Sequence, residues 1–336
     1  MRVTRAFLDG LRRVLAAPAV LAGLYVMTLL LALPLAVALK GMLASHLGAS
    51  LMADAAAEGF HHGWWEEFSA QATGLGTTFA PTVIGFAAVL QNVSDLVDNR
   101  PLATTVAGAA GAYVVLWAFL VGGVIDRFAR NRPTRAGGFF TACGVYFFRF
   151  LRLGIVAGAI YYVLFAHVHG WIFDDLYERL ARDVTIERRA FLLRVGGYAI
   201  FGALVGAVNL VVDYAKVRAV VEDRRSMLGA LAAAVRFVRR RPIATVALYL
   251  LGGLAFVTVA AIYAIAAPGA RAPLWLALAV GQLYVLARLG VKLLFYASAT
   301  AFFQAELAHA EYTAQPPPVW PESPAAEAIV NAAPRG

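Results

Sequence analysis

Six long apolar segments dominate the chain, and stretches of unequal length that carry most of the charged residues separate them. An α-helix rises 1.5 Å per residue, so about 20 apolar residues are needed to cross a hydrocarbon core of about 30 Å. Helices are required because unpaired backbone amides are not tolerated in lipid, and the alternation typical of membrane β-strands is absent. The pattern predicts an all-α, polytopic transmembrane helical bundle with spans at 19–39, 102–125, 153–173, 191–212, 243–266 and 274–296.

The composition supports this interpretation. Hydrophobic residues make up 61% of the 336 residues, charged residues only 15%, and the mean hydropathy is +0.71. Soluble domains carry about 25% charged residues, and a chain this apolar could not cover its apolar surface in one water-soluble core. The single cysteine, Cys143, excludes an intramolecular disulfide and a cysteine-based zinc cluster.

A formal charge of +9 could indicate nucleic acid as a partner. The basic residues, however, lie between the apolar segments and form no separate basic domain, so we expect membrane lipids and not nucleic acid. Lysine and arginine are more than twice as frequent in the N-terminal arm and the second and fourth connections as in the other connections. By the positive-inside rule, both termini are predicted to be cytoplasmic.

The first apolar segment could instead be a cleaved signal peptide, because arginines precede it. A signal peptide has an apolar region of only about 7–15 residues, and this segment is longer, which favours a retained span. Arginine greatly outnumbers lysine among many alanines and glycines, as is typical of a GC-rich bacterial genome. We therefore expect the protein in a bacterial inner membrane.

An internal repeat precedes three of the spans. The third span is entered by Arg149-Phe150-Leu151-Arg152 and the fifth by Arg236-Phe237-Val238-Arg239, while Arg12 and Arg236 each lie six residues before a proline. Weakly amphipathic apolar stretches come before these arginines at 7–11, 139–148 and 227–235. The repeat predicts three helical hairpins, each preceded by a cytoplasmic interfacial elbow helix. The alternative is that such elbows arise wherever a span starts on the inner side, without duplication.

The regions between and after the spans have their own patterns. An outer region at 41–100 contains helical periodicity over 79–97, which predicts an amphipathic helix that is either surface-lying or re-entrant. The connection at 174–189 predicts a second, charge-dense outer helix. Residues 313–336 are rich in proline and alanine and are predicted to form a disordered cytoplasmic tail.

Two basic residues, Arg288 and Lys292, lie within the sixth apolar segment and are four residues apart, on one helix face. A charge at the bilayer centre costs about 2.5–3.5 kcal/mol, so the pair needs an explanation. Either their long side chains snorkel to the cytoplasmic headgroups, or they form a buried ion pair or anion site. In the second case Asn209 and Asp213, at the inner end of the fourth span, are the expected partners.

The elbow arginines are candidate contacts for anionic lipid. Each basic residue near the surface contributes about 1 kcal/mol of attraction to an anionic leaflet. Topology alone would also demand a basic cluster on this side. The candidates for anion or lipid contact are Arg149, Arg152, Arg236 and Arg239, in addition to Arg288, Lys292, Asn209 and Asp213.

No pattern predicts catalysis, a cofactor or a metal site. There is no HExxH motif, Walker A loop or GxSxG elbow, and two neighbouring histidines do not make a zinc site. Pairs of glycines in GxxxG spacing, Gly154 with Gly158 and Gly202 with Gly206, are no more frequent than chance predicts. The chain is therefore expected not to be an enzyme.

The elbow-then-span repeat, with the stretch DYAKVRAVVEDRRSMLGALAAAVRFVRRRP from Asp213 to Pro242, resembles uncharacterised bacterial multi-pass inner-membrane proteins. These are similar in layout to the membrane domain attached to some glycerophosphodiester phosphodiesterases. The resemblance implies a six-helix inner-membrane domain. It implies no catalytic residues, because the phosphodiesterase activity belongs to a separate soluble domain.

Three hypotheses follow. The first is a non-enzymatic inner-membrane protein that interacts with lipid or scaffolds protein partners. The alternative is a transporter or permease for a small anionic or amphipathic solute, based on Arg288, Lys292, Asn209 and Gln282. The third is an intramembrane enzyme that would act through four outer residues, His61, His62, Glu66 and Glu67.

Overall fold

A computed structural model describes residues 3–57, 61–79, 86–101, 104–269 and 272–314. Within these ranges the chain is almost entirely helical and contains no strand. The helices are α1 (Val3–Leu15), α2 (Pro18–Ala49), α3 (Ala53–Ala57), α4 (His62–Gln71), α5 (Phe86–Val97), α6 (Thr104–Arg130), α7 (Ala136–Val163), α8 (Tyr177–Ala181), α9 (Glu187–Val221), α10 (Met227–Arg240), α11 (Pro242–Ala266) and α12 (Leu274–Ala314).

Six of these helical segments are long and apolar enough to cross a membrane: α2, α6, the segment that begins with α7, α9, α11 and α12. The predicted polytopic helical bundle with six spans is therefore confirmed. Most of the helices continue beyond the predicted span ends, and α2 reaches Ala49 while α12 reaches Ala314. Helical hydrogen bonding continues into water, whereas the apolar pattern stops where the hydrocarbon ends.

The predicted outer helices need correction. Residues 41–49 belong to α2, and the helix expected over 79–97 begins at Phe86, with residues 80–85 outside the described ranges. The connection at 174–189 is not a separate helix, because the third span continues through two π-helical segments and α8 as far as Ala181. The predicted disordered tail, apart from its first two residues, also lies outside the described ranges.

Two of the three predicted elbow helices are separate elements. Helices α1 and α10 end shortly before Pro18 and Pro242, which occupy the first turns of α2 and α11. Proline suits a first helical turn, where its missing amide hydrogen leaves no bond unmade. The third elbow is different, because residues 139–152 and the third span form one continuous helix, α7. No proline interrupts the chain there, so nothing removes the helical hydrogen bonds.

The densest packing lies at one end of the bundle, which we call the basal layer. It consists of α1, α10, the C-terminal parts of α6 and α9, the N-terminal part of α7 and residues 289–303 of α12. At the other end a smaller cluster of Leu164, Ile172 and Phe201 is buried, and Leu24 is the one buried residue of α2. Large apolar side chains of α2, α11 and α12 are exposed there, as expected for surfaces in contact with acyl chains.

Glycines let helices of the basal layer approach closely. A Cβ atom at Gly10 of α1 would lie 2.6 Å from the backbone nitrogen of Ser298 in α12. A Cβ at Gly123 of α6 would lie 2.6 Å from the sulfur of Cys143 in α7. The GxxxG pairs behave differently, because a Cβ at Gly154 or Gly202 would meet nothing within 4 Å.

Arg13 connects three helices of the basal layer. Its Nη1 donates hydrogen bonds of 2.8 Å to the carbonyl oxygen of Phe128 in α6 and to Oε1 of Gln304 in α12. Its Nη2 donates at 2.9 Å to Asp9 in its own helix, and Gln304 in turn donates to the carbonyl oxygen of Ala129. Arg13 is only 9% exposed, so this charge is buried with its donors satisfied.

We predict that Gly10→Ala destabilises the protein while Gly154→Ala does not. Overpacking costs about 1–3 kcal/mol, whereas alanine in an open helical position is favoured over glycine by up to about 1 kcal/mol. Thermal unfolding in detergent can be followed with a thiol-reactive dye, because Cys143 is the single cysteine and is 0% exposed. Equal transition temperatures for the two variants would contradict the close contact between α1 and α12.

Arg13→Leu is expected to reduce the free energy of unfolding by about 3 kcal/mol, because it leaves Asp9 and two buried acceptors without their donor. Arg12→Leu is the matched control, since Arg12 is exposed and its loss should change stability by no more than about 0.5 kcal/mol. The same dye assay compares them. A similar effect of both substitutions would show that Arg13 does not hold the three helices together.

Candidate functional site

A chain of polar contacts crosses the bundle interior from α9 to α6. Oδ1 of Asp213 accepts a 2.9 Å hydrogen bond from Nζ of Lys216, which also donates to the hydroxyl of Tyr296 at 3.1 Å. Nε1 of Trp117 donates to the same hydroxyl at 3.4 Å. The ion pair is mostly buried, with side-chain exposures of 23% for Asp213 and 19% for Lys216.

Lys292 continues this polar cluster. Its Nζ donates a hydrogen bond of 3.1 Å to the hydroxyl of Tyr113 and lies 3.6 Å from the ring centroid of Trp117. Aromatic faces attract cations because their electron density is negative, so Trp117 stabilises the ammonium group. Lys292 is therefore held by α6 inside the bundle. Its side chain does not extend to the headgroups, as the snorkelling alternative would require.

The other predicted members lie elsewhere. Oδ1 of Asn209 accepts a 2.6 Å hydrogen bond from the hydroxyl of Tyr161, one helical turn before Asp213. Oε1 of Gln282 accepts a hydrogen bond of 2.9 Å from the hydroxyl of Tyr25. Arg288 is exposed, and the described part of the chain offers it no hydrogen bond or ion pair. The structure thus brings Asp213 and Lys292 into one cluster and leaves Arg288 outside it.

The space beside the cluster is small. A cavity of about 20 Å³ is lined by Asp213, Thr245 and Ser298 together with apolar side chains. A water molecule needs about 10–15 Å³ of such volume, so the cavity has room for about one water molecule and no larger solute. The polar cluster in this conformation is a filled contact between helices.

Sequence reasoning missed the residues that link this cluster. Lys216 lies just beyond the predicted end of the fourth span, where charged residues are common, and aromatic residues in spans are usually assigned to the membrane interface. A signal was nevertheless present, since Lys216 follows Asp213 by three residues and shares its helix face. The missed members of the cluster are Lys216, Tyr113, Trp117 and Tyr296, and Tyr161 is the missed partner of Asn209.

Among the predicted lipid contacts, Arg149 is already engaged. Its Nη1 donates at 2.6 Å to Asp223 and at 3.3 Å to the carbonyl oxygen of Arg224, and its guanidinium lies over the ring of Tyr146. The hydrogen bond from Arg149 lowers the pKa of the exposed Asp223 carboxyl below its usual value. Arg149 therefore fastens α7 to the turn after α9 and is not free to bind lipid in this arrangement.

The remaining predicted lipid contacts are exposed. Arg152 projects from α7, and Arg236 and Arg239 project from α10. The elbow helices bury mainly alanine and glycine and expose several large apolar side chains. The inward positions are Ala6, Gly10, Arg13 and Val14 in α1 and Met227, Ala230, Ala233 and Ala234 in α10. The outward face of each helix combines leucine or valine with arginine.

The outer histidines have structural contacts. Nδ1 of His61 accepts a hydrogen bond from the backbone of Trp64 at the start of α4, and Nε2 of His62 lies 3.1 Å from Glu66 on the surface. Oε2 of Glu67 accepts a hydrogen bond from Ser50. Across the described ranges, no group of three His, Cys, Asp or Glu side chains is placed to hold a metal ion.

No protein-family model, curated protein or solved structure matches the chain. The resemblance to the membrane domain of glycerophosphodiester phosphodiesterases therefore stays a prediction.

The polar cluster predicts a specific pattern of coupled stabilities. Asp213→Ala should reduce the free energy of unfolding by about 3 kcal/mol, because it leaves the ammonium group of Lys216 buried without its carboxylate. Asp213→Ala combined with Lys216→Met should be more stable than Asp213→Ala alone, since the unpaired charge is gone. The dye assay on Cys143 compares the variants, and strictly additive losses would show that the two side chains are not coupled.

Proposed function

We propose that this multi-pass membrane protein has a non-enzymatic role in which its basal layer binds anionic lipid at the cytoplasmic face of a bacterial inner membrane. In this role it would organise lipid or hold protein partners at the membrane. The observation that carries the proposal is the outward face of α1 and α10, where large apolar side chains alternate with arginines.

The apolar part of this face is substantial. Leu8 and Leu15 of α1 are 53% and 71% exposed, and Leu228 of α10 is 66% exposed. A helix with this arrangement lies in the membrane interface, with leucines among acyl chains and basic groups at the phosphates. Leucines exposed at a water-facing surface would have no such favourable environment.

The basic part of the face supplies selectivity for anionic lipid. Arg12 lies near the end of α1, and Arg236 and Arg239 lie in the last two turns of α10, all of them exposed. Arg152 adds a further exposed charge from α7. Each such residue adds about 1 kcal/mol of attraction to an anionic leaflet, so several together produce a clear preference over zwitterionic lipid.

The transporter hypothesis is the second candidate. It is favoured by the presence of Lys216, Lys292 and Asp213 within the bundle, since charged residues at membrane depth commonly mark solute paths. The cavity beside them has room for about one water molecule, so transport would require a different conformation. We therefore favour the lipid-binding role.

The test is to replace Arg152, Arg236 and Arg239 together with glutamine. The triple variant should retain several-fold less phosphatidylglycerol than the wild-type protein after purification in mild detergent, because three attractive charges are lost. Bound lipid can be counted by native mass spectrometry. Retention of phosphatidylcholine from the same mixed lipid should hardly change.

The matched control replaces Arg182, Arg188 and Arg189 with glutamine, which removes the same charge from exposed positions just after α8 and in the first turn of α9. This control should retain phosphatidylglycerol like the wild type. If both triple variants lose lipid equally, or if the wild type shows no preference for phosphatidylglycerol, the basal layer is not an anionic-lipid surface.

A further inference from the structure

A cavity of about 310 Å³ lies in the basal layer, between the turn that joins α1 to α2, the C-terminal part of α6 and the start of α7. This volume is at the lower end of the range of ligand pockets, which is about 300–1,000 Å³. Its walls are mainly apolar and come from Leu24 and Met27 of α2, Leu120 of α6, and Phe139 and Phe140 of α7.

One charged side chain lines this cavity. Arg127 is only 5% exposed, and its Nη2 donates a 3.0 Å hydrogen bond to the carbonyl oxygen of Ala16. Its Nη1 is buried and has no hydrogen-bond partner among the described residues. The carboxylate of the neighbouring residue, Asp126, is paired with Arg130. Both of its oxygens accept hydrogen bonds from Nε of Arg130, at 2.9 and 2.8 Å.

A buried guanidinium without a carboxylate is energetically unfavourable, so buried charges in proteins are normally paired. The contrast with Arg13 is instructive, since that buried arginine has Asp9 as its counter-ion. An anion in the cavity would balance the unpaired positive charge of Arg127, and guanidinium groups suit phosphate oxygens well. The apolar walls would accept a hydrocarbon chain attached to that anion.

The position of the cavity agrees with a lipid ligand. Pro133 and Thr134, from the connection between α6 and α7, line the cavity, and the exposed Arg132 and Arg135 flank them. This connection joins two membrane-spanning helices, so it lies at the level of the headgroups. An anionic headgroup would therefore meet basic side chains at the cavity while its acyl chain lies along α2.

We propose that this cavity is a specific site for one anionic phospholipid, with its phosphate at Arg127 and an acyl chain against Leu24, Met27 and Phe139. This inference rests on the proposed function, because it assigns one site to a lipid-binding surface. It goes further in requiring a particular buried arginine that is separate from the exposed elbow arginines.

The test measures ligand-induced stabilisation in detergent with the dye assay on Cys143. The added ligands are dioleoyl phosphatidylglycerol, dioleoyl phosphatidylcholine or inorganic phosphate. A ligand that binds only the folded state raises the transition temperature, and its titration gives an apparent affinity. Phosphatidylglycerol should stabilise the wild type, and Arg127→Met should weaken its apparent affinity at least tenfold. Arg182→Met, at an exposed position outside the basal layer, is the control for charge.

A second variant tests the apolar part without touching the arginine. Gly23 lines the cavity, and a Cβ there would meet nothing within 4 Å, so Gly23→Leu can fill the space while the fold is kept. It should also weaken phosphatidylglycerol binding at least tenfold. Gly154→Leu is its control, since a Cβ there is equally unobstructed but lies away from the cavity. If Arg127→Met does not fold, the affinity of Gly23→Leu for phosphatidylglycerol shows whether the lipid binds in this cavity.

The outcomes separate the inference from the proposed function. If both cavity variants bind phosphatidylglycerol as the wild type does, while the triple elbow variant loses lipid, the site is wrong and the lipid-binding role stands. Equal stabilisation by phosphatidylcholine would overturn the role of Arg127. Equal stabilisation by inorganic phosphate would identify a soluble-anion site and overturn the assignment to lipid. Both proposals would be wrong if phosphatidylglycerol did not raise the transition temperature of the wild type and if the purified wild type retained none of this lipid.

Discussion

The basal layer depends on the buried guanidinium of Arg13. It joins the N-terminal helix to the ends of α6 and α12, which are distant in sequence, and Asp9 balances its charge within one helical turn. A charge in this position is favourable only when every donor has an acceptor, so the arginine fixes the distances and rotations of three helices together. The close approach of Gly10 to Ser298 is a consequence of the same docking.

This docking produces a molecule with two unlike ends. Small residues in α1, α10 and α6 allow dense packing in the basal layer, while the opposite ends of the spans are less buried and present apolar side chains to lipid. The polar cluster of Asp213, Lys216 and Lys292 lies close to the densely packed end, where tyrosines and Trp117 surround the charges. Charges at this depth are stable because aromatic and hydroxyl groups replace the water they have lost.

The arginines of the basal layer fall into three groups by their surroundings. Arg13 and Arg149 are satisfied by carboxylates and carbonyl oxygens, and they hold helices together. Arg152, Arg236 and Arg239 are exposed beside apolar side chains, as an interfacial surface requires. Arg127 is buried at an apolar cavity with one donor unused. The proposed lipid-binding role assigns the second group to the membrane surface and the third to a single bound lipid.

The sequence by itself determined the six spans, because the length of an apolar run is matched to the thickness of the bilayer irrespective of what surrounds it. It also determined the elbows before Pro18 and Pro242, since proline ends a helix locally, and the absence of proline explains why the third elbow is continuous with its span. Only the tertiary structure decided which arginines are buried, that Lys216 and Tyr296 connect Asp213 to Trp117, and that Arg127 faces a cavity. Those properties depend on partners far away in the chain, and the identity of one residue carries no information about which distant side chain will satisfy its hydrogen bonds.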